Sequence, residues 1–564
     1  MERRIRLGTG GLVRRLTSGL ARLATRTVTT TKSALLGSNL VGVSYFAPTR
    51  PFLNLWKLSS NYVTTVPSFD AAIPINIDSD GEITSFESGQ TLVSYLFSQN
   101  ANGIEQMNVE GQYLVVDYTG DGANYGTDWT FVAQGGSVSV VDHDTGAKRL
   151  ILNITLGTAA DQYLYFQTNA HNAADKLRIV SCVQQQHLAS FEAGQLFHPE
   201  YLDYCRRFST LRFMDWMNTN GNDATLWSDR RAVTHRNYSG GSWTNSNSYH
   251  KPDMVPYEIQ AALCNEVGAN LWTTTPYAAI TDWASNAATT LLAALDSSLS
   301  LFIERANETW NGIFAANTFD YDAGQILYPG EPNVYYRGWK ASAHYARLVM
   351  EDFEAVWTGD NADRLHTMFC WQKNTDAVSA WLVEWEDLES HIRHWGIAPY
   401  MAGQNNGGSG SKLGTDDQAT VAAVSPHIKK TLDYTVDEVV DDLFTDLTTE
   451  LPNYDGIETI MSAKGISIID YEGGQHLVGV GSVVNNTTIT DLFVAANRSP
   501  RMRQLYYDYY TKRRDQGCEL MMVFTDHYQP DKYGSWGAKE YQGQPDEECP
   551  KYLGILDFIS ENPA

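Results

Sequence analysis

Two acidic residues stand at the ends of apolar runs, the positions from which parallel strands present side chains for chemistry. The run Ser300–Glu308 ends in Asn307 and Glu308, and the run Gly465–Gly474 carries Glu472 three residues after Ile469, the last residue of its apolar centre. Two carboxyl groups held about 5 Å apart can cleave a glycosidic bond with retention, one as nucleophile and the other as general acid and base. The residues therefore indicate this chemistry, provided the fold brings both strand ends together. A salt-bridged pair of loop carboxylates is the alternative interpretation.

Short apolar runs alternate with amphipathic helical patterns along the chain, which is typical of parallel strands joined by crossover helices. Eight such runs are present: Leu40–Pro48, Thr210–Met217, Ala269–Thr275, Ser300–Glu308, Leu365–Gln372, Gly396–Gly403, Gly465–Gly474 and Cys518–His527. The alternation predicts an α/β protein built on a closed (β/α)8 TIM barrel. Its functional side chains would lie on loops at the carboxyl ends of the strands.

The stretch between the first two runs is too long for one crossover, and it holds strand-like segments separated by Gly and Asp turns. We infer a β-sandwich inserted after the first strand, which either binds carbohydrate or only packs. The expected organisation is a basic arm (1–37), the first barrel strand and its loop (38–84), the sandwich (85–183), the remaining barrel (184–541) and a C-terminal segment (542–564). Gly403–Ser411, rich in Gly, Asn and Ser, is interpreted as a lid at the catalytic face or as a plain flexible excursion.

Four motifs at strand ends resemble those of clan GH-A glycoside hydrolases, in particular a cellulase-like branch. They are Leu211–Met217, Glu304–Asn311, Tyr471–His476 and Lys532–Gly537. The resemblance implies a retaining (β/α)8 enzyme that cleaves a β-linked polysaccharide through a covalent glycosyl-enzyme intermediate, without a cofactor. It also implies that Glu308 is the general acid/base and Glu472 the nucleophile.

Three further polar residues are assigned around this pair. Arg212 ends the second run and is expected to keep Glu472 ionised; a core ion pair with Asp215 or another acid is the alternative. Tyr400 is expected to donate its hydroxyl to Glu472, or else to be an ordinary core tyrosine. Asn307 is expected to reach the sugar 2-hydroxyl, whose hydrogen bond strengthens in the transition state.

Four ring side chains near strand ends are candidates for substrate binding. Trp216, Trp371 and Trp536 close or follow a strand, where an indole can form the floor of a sugar subsite. Trp536 is the strongest candidate, because it lies within one of the resembling motifs. Core packing is the competing interpretation for the other two indoles. His476 is expected to contact sugar hydroxyls, or to serve as a satisfied structural group.

Composition restricts the partners. The formal net charge is -25, with 66 acidic against 41 basic residues, so we expect a neutral polysaccharide or cell-surface glycan and no nucleic acid. The six widely spaced cysteines contain no metal-binding spacing, and we expect no metal site from them. Asn76–Glu87 and Asp117–Asp128 match a calcium-loop spacing, although Asp-Gly turns between strands explain both equally well.

The amino terminus differs from the rest of the chain. Residues 1–32 hold eight basic residues and one acid, Glu2, and arginines interrupt every apolar stretch. We therefore expect neither Sec export nor a membrane span. A disordered tail, a transit peptide and an anchor that docks residues 1–37 on an assembly partner all remain open. Because an enzyme for polymeric sugar works outside the cell, we expect either a phage virion tail protein or export by a non-Sec route. A receptor-binding tail protein that grips glycan without cutting it is the alternative function.

Overall fold

The computed structural model describes residues 31–69, 73–99, 112–156, 162–172, 174–239, 253–279, 282–372, 376–402, 431–449, 451–479 and 481–564. These residues form two compact units. One unit comprises residues 42–202 and 228–266, and the other comprises the described residues up to 41, residues 203–227 and residues 267–564.

The second unit is a closed barrel of eight parallel strands, each paired with the next along the chain and the last paired with the first. The strands are β1 (Ser33–Asn39), β2 (Phe208–Arg212), β3 (Asn270–Thr275), β4 (Leu301–Arg305), β5 (Leu365–Cys370), β6 (His394–Ile397), β7 (Ser467–Asp470) and β8 (Met521–Val523). The predicted (β/α)8 architecture is confirmed.

The first barrel strand is earlier than predicted. The run Leu40–Pro48 was expected to form it, but β1 is Ser33–Asn39, so residues 33–37 belong to the barrel and not to the basic arm. Glycine at position 37 suits this placement, because a Cβ there would lie 2.2 Å from the Met522 sulfur and 2.8 Å from the Thr210 carbonyl oxygen. Only a residue without a side chain fits between β2 and β8 at this point.

The helices of the barrel unit are Trp283–Ala294, Ala315–Leu327, Val334–Val356, Asp376–Leu382, Val436–Thr449, Asp455–Ser462, Thr487–Asn497, Met502–Asp515 and Pro550–Glu561. The helices Thr487–Asn497 and Met502–Asp515 are separated by a short break that contains Pro500, because proline lacks the N–H that continues a helix. Inside the barrel, large side chains including Trp272, Phe302 and Met368 are buried against one another.

The other unit contains two four-stranded antiparallel sheets. One has the order Val63–Val66, Thr91–Gln99, Gln162–Thr168, Trp129–Ala133, and the other the order Arg178–Gln184, Gln112–Thr119, Arg149–Thr155, Ser137–Asp144. Tyr118 of one sheet packs edge to face on Trp129 of the other, with ring centroids 5.4 Å apart. The strand-rich insertion thus begins before the predicted Ser85, because Val63–Val66 pairs with Thr91–Gln99. Further elements are a two-stranded hairpin, Ile75–Ile77 with Ile83–Phe86, and the helices Gln185–Glu192, Pro199–Cys205 and Tyr257–Val267. The division between the two units falls within the second of these helices and at the last residue of the third.

The two calcium-like segments have local explanations. The Asp78 carboxylate accepts the backbone N–H groups of Asp80 and Glu82 and pairs with Arg178, as expected of a hairpin turn. Asp117 lies within a strand and pairs with Arg149. Over the described residues no group of three or more His, Cys, Asp and Glu side chains is placed to hold a metal ion. Calcium at either segment stays a prediction.

All six cysteines are buried free thiols. In the part of the chain that the structure describes, no helix combines the length and apolarity needed to cross a membrane.

Candidate active site

The carboxyl ends of the barrel strands bring the acidic pair and its neighbours together. Arg212 is the last residue of β2, and Glu308 follows β4 by three residues. Tyr400 follows β6 by three residues, and Glu472 follows β7 by two. Because parallel barrel strands all end at one face, residues separated widely in sequence converge there.

Arg212 is the centre of this cluster. Its guanidinium is fully buried, and all five of its N–H groups are directed at acceptors. It donates to Glu304 Oε2 at 3.0 and 3.3 Å, and to Glu472 Oε1 at 3.0 Å. It also donates to the side-chain oxygens of Asn39 and Asn307, both at 2.9 Å. A buried cation with two carboxylate partners fixes the position of each of them.

Glu472 is buried and held at both carboxylate oxygens. Arg212 contacts Oε1, and the Tyr400 hydroxyl donates to Oε2 at 2.9 Å. Only 6 % of the residue is exposed, so bulk water competes little for these oxygens. The structure therefore places Arg212 and Tyr400 against Glu472. Arg212 also forms a core ion pair with another acid, Glu304, which was the alternative interpretation. The roles of Arg212 and Tyr400 toward Glu472 stay predictions.

Glu308 is half-buried, and both of its carboxylate oxygens also have protein partners. The Tyr471 hydroxyl donates to Oε1 at 2.9 Å, and the Asn311 side-chain N–H donates to Oε2 at 2.9 Å. Its backbone has φ of 42°, a left-handed conformation that glutamate seldom adopts. Such strain persists where surrounding contacts hold a residue in place, and it is concentrated at functional sites.

The two carboxyl groups influence each other. Burial raises the pKa of Glu308 above its ordinary value. Burial and the repulsion from Glu308 raise the pKa of Glu472 to about 8, against the opposing effect of Arg212. The pair therefore retains at least one proton near neutral pH. Because the guanidinium contacts Glu472 directly, we assign the negative charge to Glu472 and the shared proton to Glu308.

Asn307 lies next to both the arginine and the acid. Its side-chain oxygen accepts from Arg212, and its N–H donates to the Asn220 side-chain oxygen at 3.2 Å. Only 2 % of Asn307 is exposed. Contact with a sugar 2-hydroxyl stays a prediction for this residue.

The aromatic candidates separate into two groups. Trp536 and His476 are half-buried, with ring centroids 5.1 Å apart, and Trp536 lies 5.8 Å from the Tyr400 ring. Trp216 and Trp371 are each 1 % exposed, so neither presents a ring face to a sugar. This corrects the sequence-based assignment for these two indoles; Trp216 instead donates its N–H to the Val41 carbonyl.

Four residues of the cluster were not assigned from the sequence. Glu304 accepts from Arg212 and from the Trp272 indole N–H. Asn39, Tyr471 and Asn311 bind Arg212 or Glu308. Glu304 carries the clearest signal, because a charged side chain within the apolar run of β4 requires a buried partner. Tyr471 and Asn311 lie within two of the resembling motifs, but the sequence assigns no contact to either, and no local pattern identifies Asn39. The proposed lid, Gly403–Ser411, lies outside the described residues, as do residues 1–30 of the arm.

Fold and site together define a (β/α)8-barrel protein with two glutamates at the carboxyl ends of its strands. No known family profile matches the sequence, and no curated protein sequence matches it. Among solved structures, a 4-O-α-L-rhamnosyl-β-D-glucuronidase from Fusarium oxysporum is similar at 11 % identity and a TM-score of 0.34, over 63 % of this chain and 61 % of that one.

Two further similar structures are GH5 enzymes. A broad-specificity GH5-4 endoglucanase from an uncultured bacterium has 11 % identity and a TM-score of 0.26, over 62 % of this chain and 80 % of its own. A Bacteroidetes-affiliated GH5 cellulase has 10 % identity and a TM-score of 0.30, over 64 % and 83 %. Likenesses this distant carry no conclusion about the activity of the present chain.

Proposed function

We propose that the protein is a retaining glycoside hydrolase that cleaves a β-linked polysaccharide by double displacement. The observation that carries the proposal is the convergence of Glu308 and Glu472 at the carboxyl face, each held at both oxygens by protein donors. A separation of about 5 Å between the two carboxyl groups is what the retaining mechanism needs.

In the first step, the Glu472 carboxylate attacks the anomeric carbon while Glu308 gives its proton to the departing glycosidic oxygen. The glycosidic bond breaks, and a glycosyl ester forms on Glu472. In the second step, the Glu308 carboxylate takes a proton from water, the water oxygen attacks the anomeric carbon, and Glu472 leaves as a carboxylate. Both enzyme groups then return to their starting charge.

Arg212 supports this division of roles. Its positive charge stabilises an ionised Glu472 before attack and after departure of the sugar. The Tyr400 hydroxyl contributes a second hydrogen bond to the same carboxylate. Glu308 has no direct cationic partner among the described residues, which favours its protonated form at the start of the cycle.

One observation favours a second candidate, a glycan-binding protein that does not cut. Burial raises the pKa of Glu472 to about 8. If the proton shared by the pair were held by Glu472 instead of Glu308, Glu472 would be neutral at pH 7, and a neutral carboxyl group is a poor nucleophile. In that case the barrel binds a surface glycan through the same polar cluster and does not cleave it.

Release of reducing ends from a panel of β-glucans, β-mannans and cell-envelope polysaccharides separates the two candidates. The hydrolase is expected to release reducing ends, and Glu472→Gln and Glu308→Gln are expected to reduce release by several orders of magnitude. Glu354→Gln is the matched control, because Glu354 pairs with His391 and contacts neither catalytic candidate. Binding without release across the panel, or full activity in Glu472→Gln, would contradict the proposal.

We also propose that the protein works outside the cell, on a virion tail or after export by a non-Sec route, because polymeric glycan is met there. The basic residues of the segment 1–37 support docking on an assembly partner of the tail. A variant lacking residues 1–30 is expected to keep its reducing-end release and to lose incorporation into particles. Incorporation at the wild-type level would rule out docking through this segment.

A further inference from the structure

A buried tyrosine next to one catalytic candidate reaches the other. Tyr471 precedes Glu472 in the chain, is fully buried, and donates its hydroxyl to Glu308 Oε1 at 2.9 Å. A buried phenol requires a hydrogen-bond partner, and here the partner is the carboxyl group of the candidate acid.

Contacts of its backbone and of its ring hold Tyr471 in place. Its backbone N–H donates to the Ile397 carbonyl at 2.9 Å, and its carbonyl accepts from the Asn39 side chain at 3.0 Å. Gly396 of β6 leaves the space for the ring, since a Cβ at that position would lie 3.2 Å from Tyr471 Cδ1. The hydroxyl therefore has a defined position relative to Glu308.

The two oxygens of Glu308 are consequently not equivalent. Oε1 is directed at the buried phenol, whereas Oε2 accepts from Asn311, which is half-buried and whose own side-chain oxygen accepts the Ile313 N–H. The donor at Oε1 is fully buried and the donor at Oε2 is half-buried, so a leaving group can replace Asn311 at Oε2 more readily than Tyr471 at Oε1.

We propose that Tyr471 is a positioning residue for the general acid/base, holding Oε1 of Glu308 so that Oε2 delivers and recovers the proton. This inference rests on the proposed hydrolase function. It links the two carboxyl groups, because one short segment after β7 provides both the nucleophile and the donor that orients the acid.

Removal of the Tyr471 hydroxyl should change the pKa of Glu308 in one direction. The hydrogen bond from Tyr471 favours the ionised carboxylate and so lowers the pKa of Glu308 against the effect of burial. In Tyr471→Phe the pKa of Glu308 should rise by about 1 unit, the size expected for a lost hydrogen bond to a charged group. The basic limb of the kcat/KM profile should move to higher pH by the same amount.

The experiment measures the proton on Glu308 directly by infrared titration of its carboxylic acid C=O band, identified by difference against Glu308→Gln. The expected result is an upward shift of the titration midpoint in Tyr471→Phe and none in Tyr204→Phe. Tyr204 is the matched control, because it is a buried tyrosine whose hydroxyl meets Ser38 instead of a glutamate. An unchanged midpoint in Tyr471→Phe would overturn the inference.

The titration needs no turnover, so its outcome is separate from that of the hydrolase proposal, which fails if reducing ends are not released. Should Tyr471→Phe not fold, the wild-type C=O band keeps the test open, because the proposal leaves the proton on Oε2 and makes Oε1 the carbonyl oxygen that accepts the Tyr471 hydroxyl. The band is expected at the lower frequency of a hydrogen-bonded carbonyl. A band at the frequency of a carbonyl without a donor would overturn the inference.

Discussion

Replacing Arg212 by Met tests the organisation of the whole site. The variant keeps most of the side-chain volume and removes five N–H donors that serve two carboxylates and two amides. Glu304 and Glu472 then remain in a site where their side chains are 3 % and 7 % exposed, without the cation between them.

The cost follows from this burial. Removing one partner of a buried ion pair destabilises a protein by about 3–5 kcal/mol, because the remaining charge has no compensation. For a barrel-sized domain this corresponds to a decrease in Tm on the order of 10 °C. Turnover should be lost as well, since Glu472 loses the charge that keeps it ionised.

Thermal unfolding of Arg212→Met, Glu304→Gln and the double variant measures this cost. Glu304→Gln removes one unpaired charge, so the double variant should be more stable than Arg212→Met alone by about 1–2 kcal/mol. Arg513→Met is the matched comparison, because that guanidinium is equally buried against Asp470. Arg513→Met should lower the free energy of unfolding by about as much as Arg212→Met does. Unlike Arg212→Met, the folded protein should keep measurable turnover. Additive losses in the double variant would refute the proposed charge balance.

Three further results are expected. Tyr400→Phe should lower kcat roughly tenfold to hundredfold, because the hydrogen bond to Glu472 is lost. The thermal unfolding of this variant should match that of the wild type, which serves as the control for folding. An unaltered kcat would contradict the role of Tyr400. Trp536→Ala should raise KM several-fold with little change in kcat, and an unchanged KM would exclude its ring from substrate binding. Burial lowers the pKa of His366 to about 4 and that of His394 to about 3, so both rings are neutral in the fold. Unfolded histidines gain protons below about pH 6.5, so the free energy of unfolding should decrease from there toward pH 4, by up to about 1.4 kcal/mol per unit for each ring. In the double variant His366→Gln, His394→Gln, the free energy of unfolding measured with urea should depend less steeply on pH between about 6.5 and 4 than it does in the wild type. The same slope in both proteins would contradict the conclusion that these two rings are neutral in the fold.

The sequence alone was sufficient for the barrel and for the acidic pair. Strand and helix periodicity is local, so seven of the eight strands could be located from short apolar runs. Glu308 and Glu472 could be placed at strand ends for the same reason, since a parallel strand carries the next residues to one face. Arg212 and Tyr400 could be placed near the acidic pair from the sequence, because each of them also ends or follows a strand.

Tertiary structure decided what no local pattern records. The first strand is Ser33–Asn39, which pairs with two strands that lie far away in sequence, and Gly37 fits closely between them. Trp216 and Trp371 are core residues because other elements cover them. Tyr471 and Asn39 belong to the site only through hydrogen bonds to residues on other strands. Periodicity specifies which face of an element is apolar, but which partner each buried polar group finds depends on contacts that form only when the barrel closes.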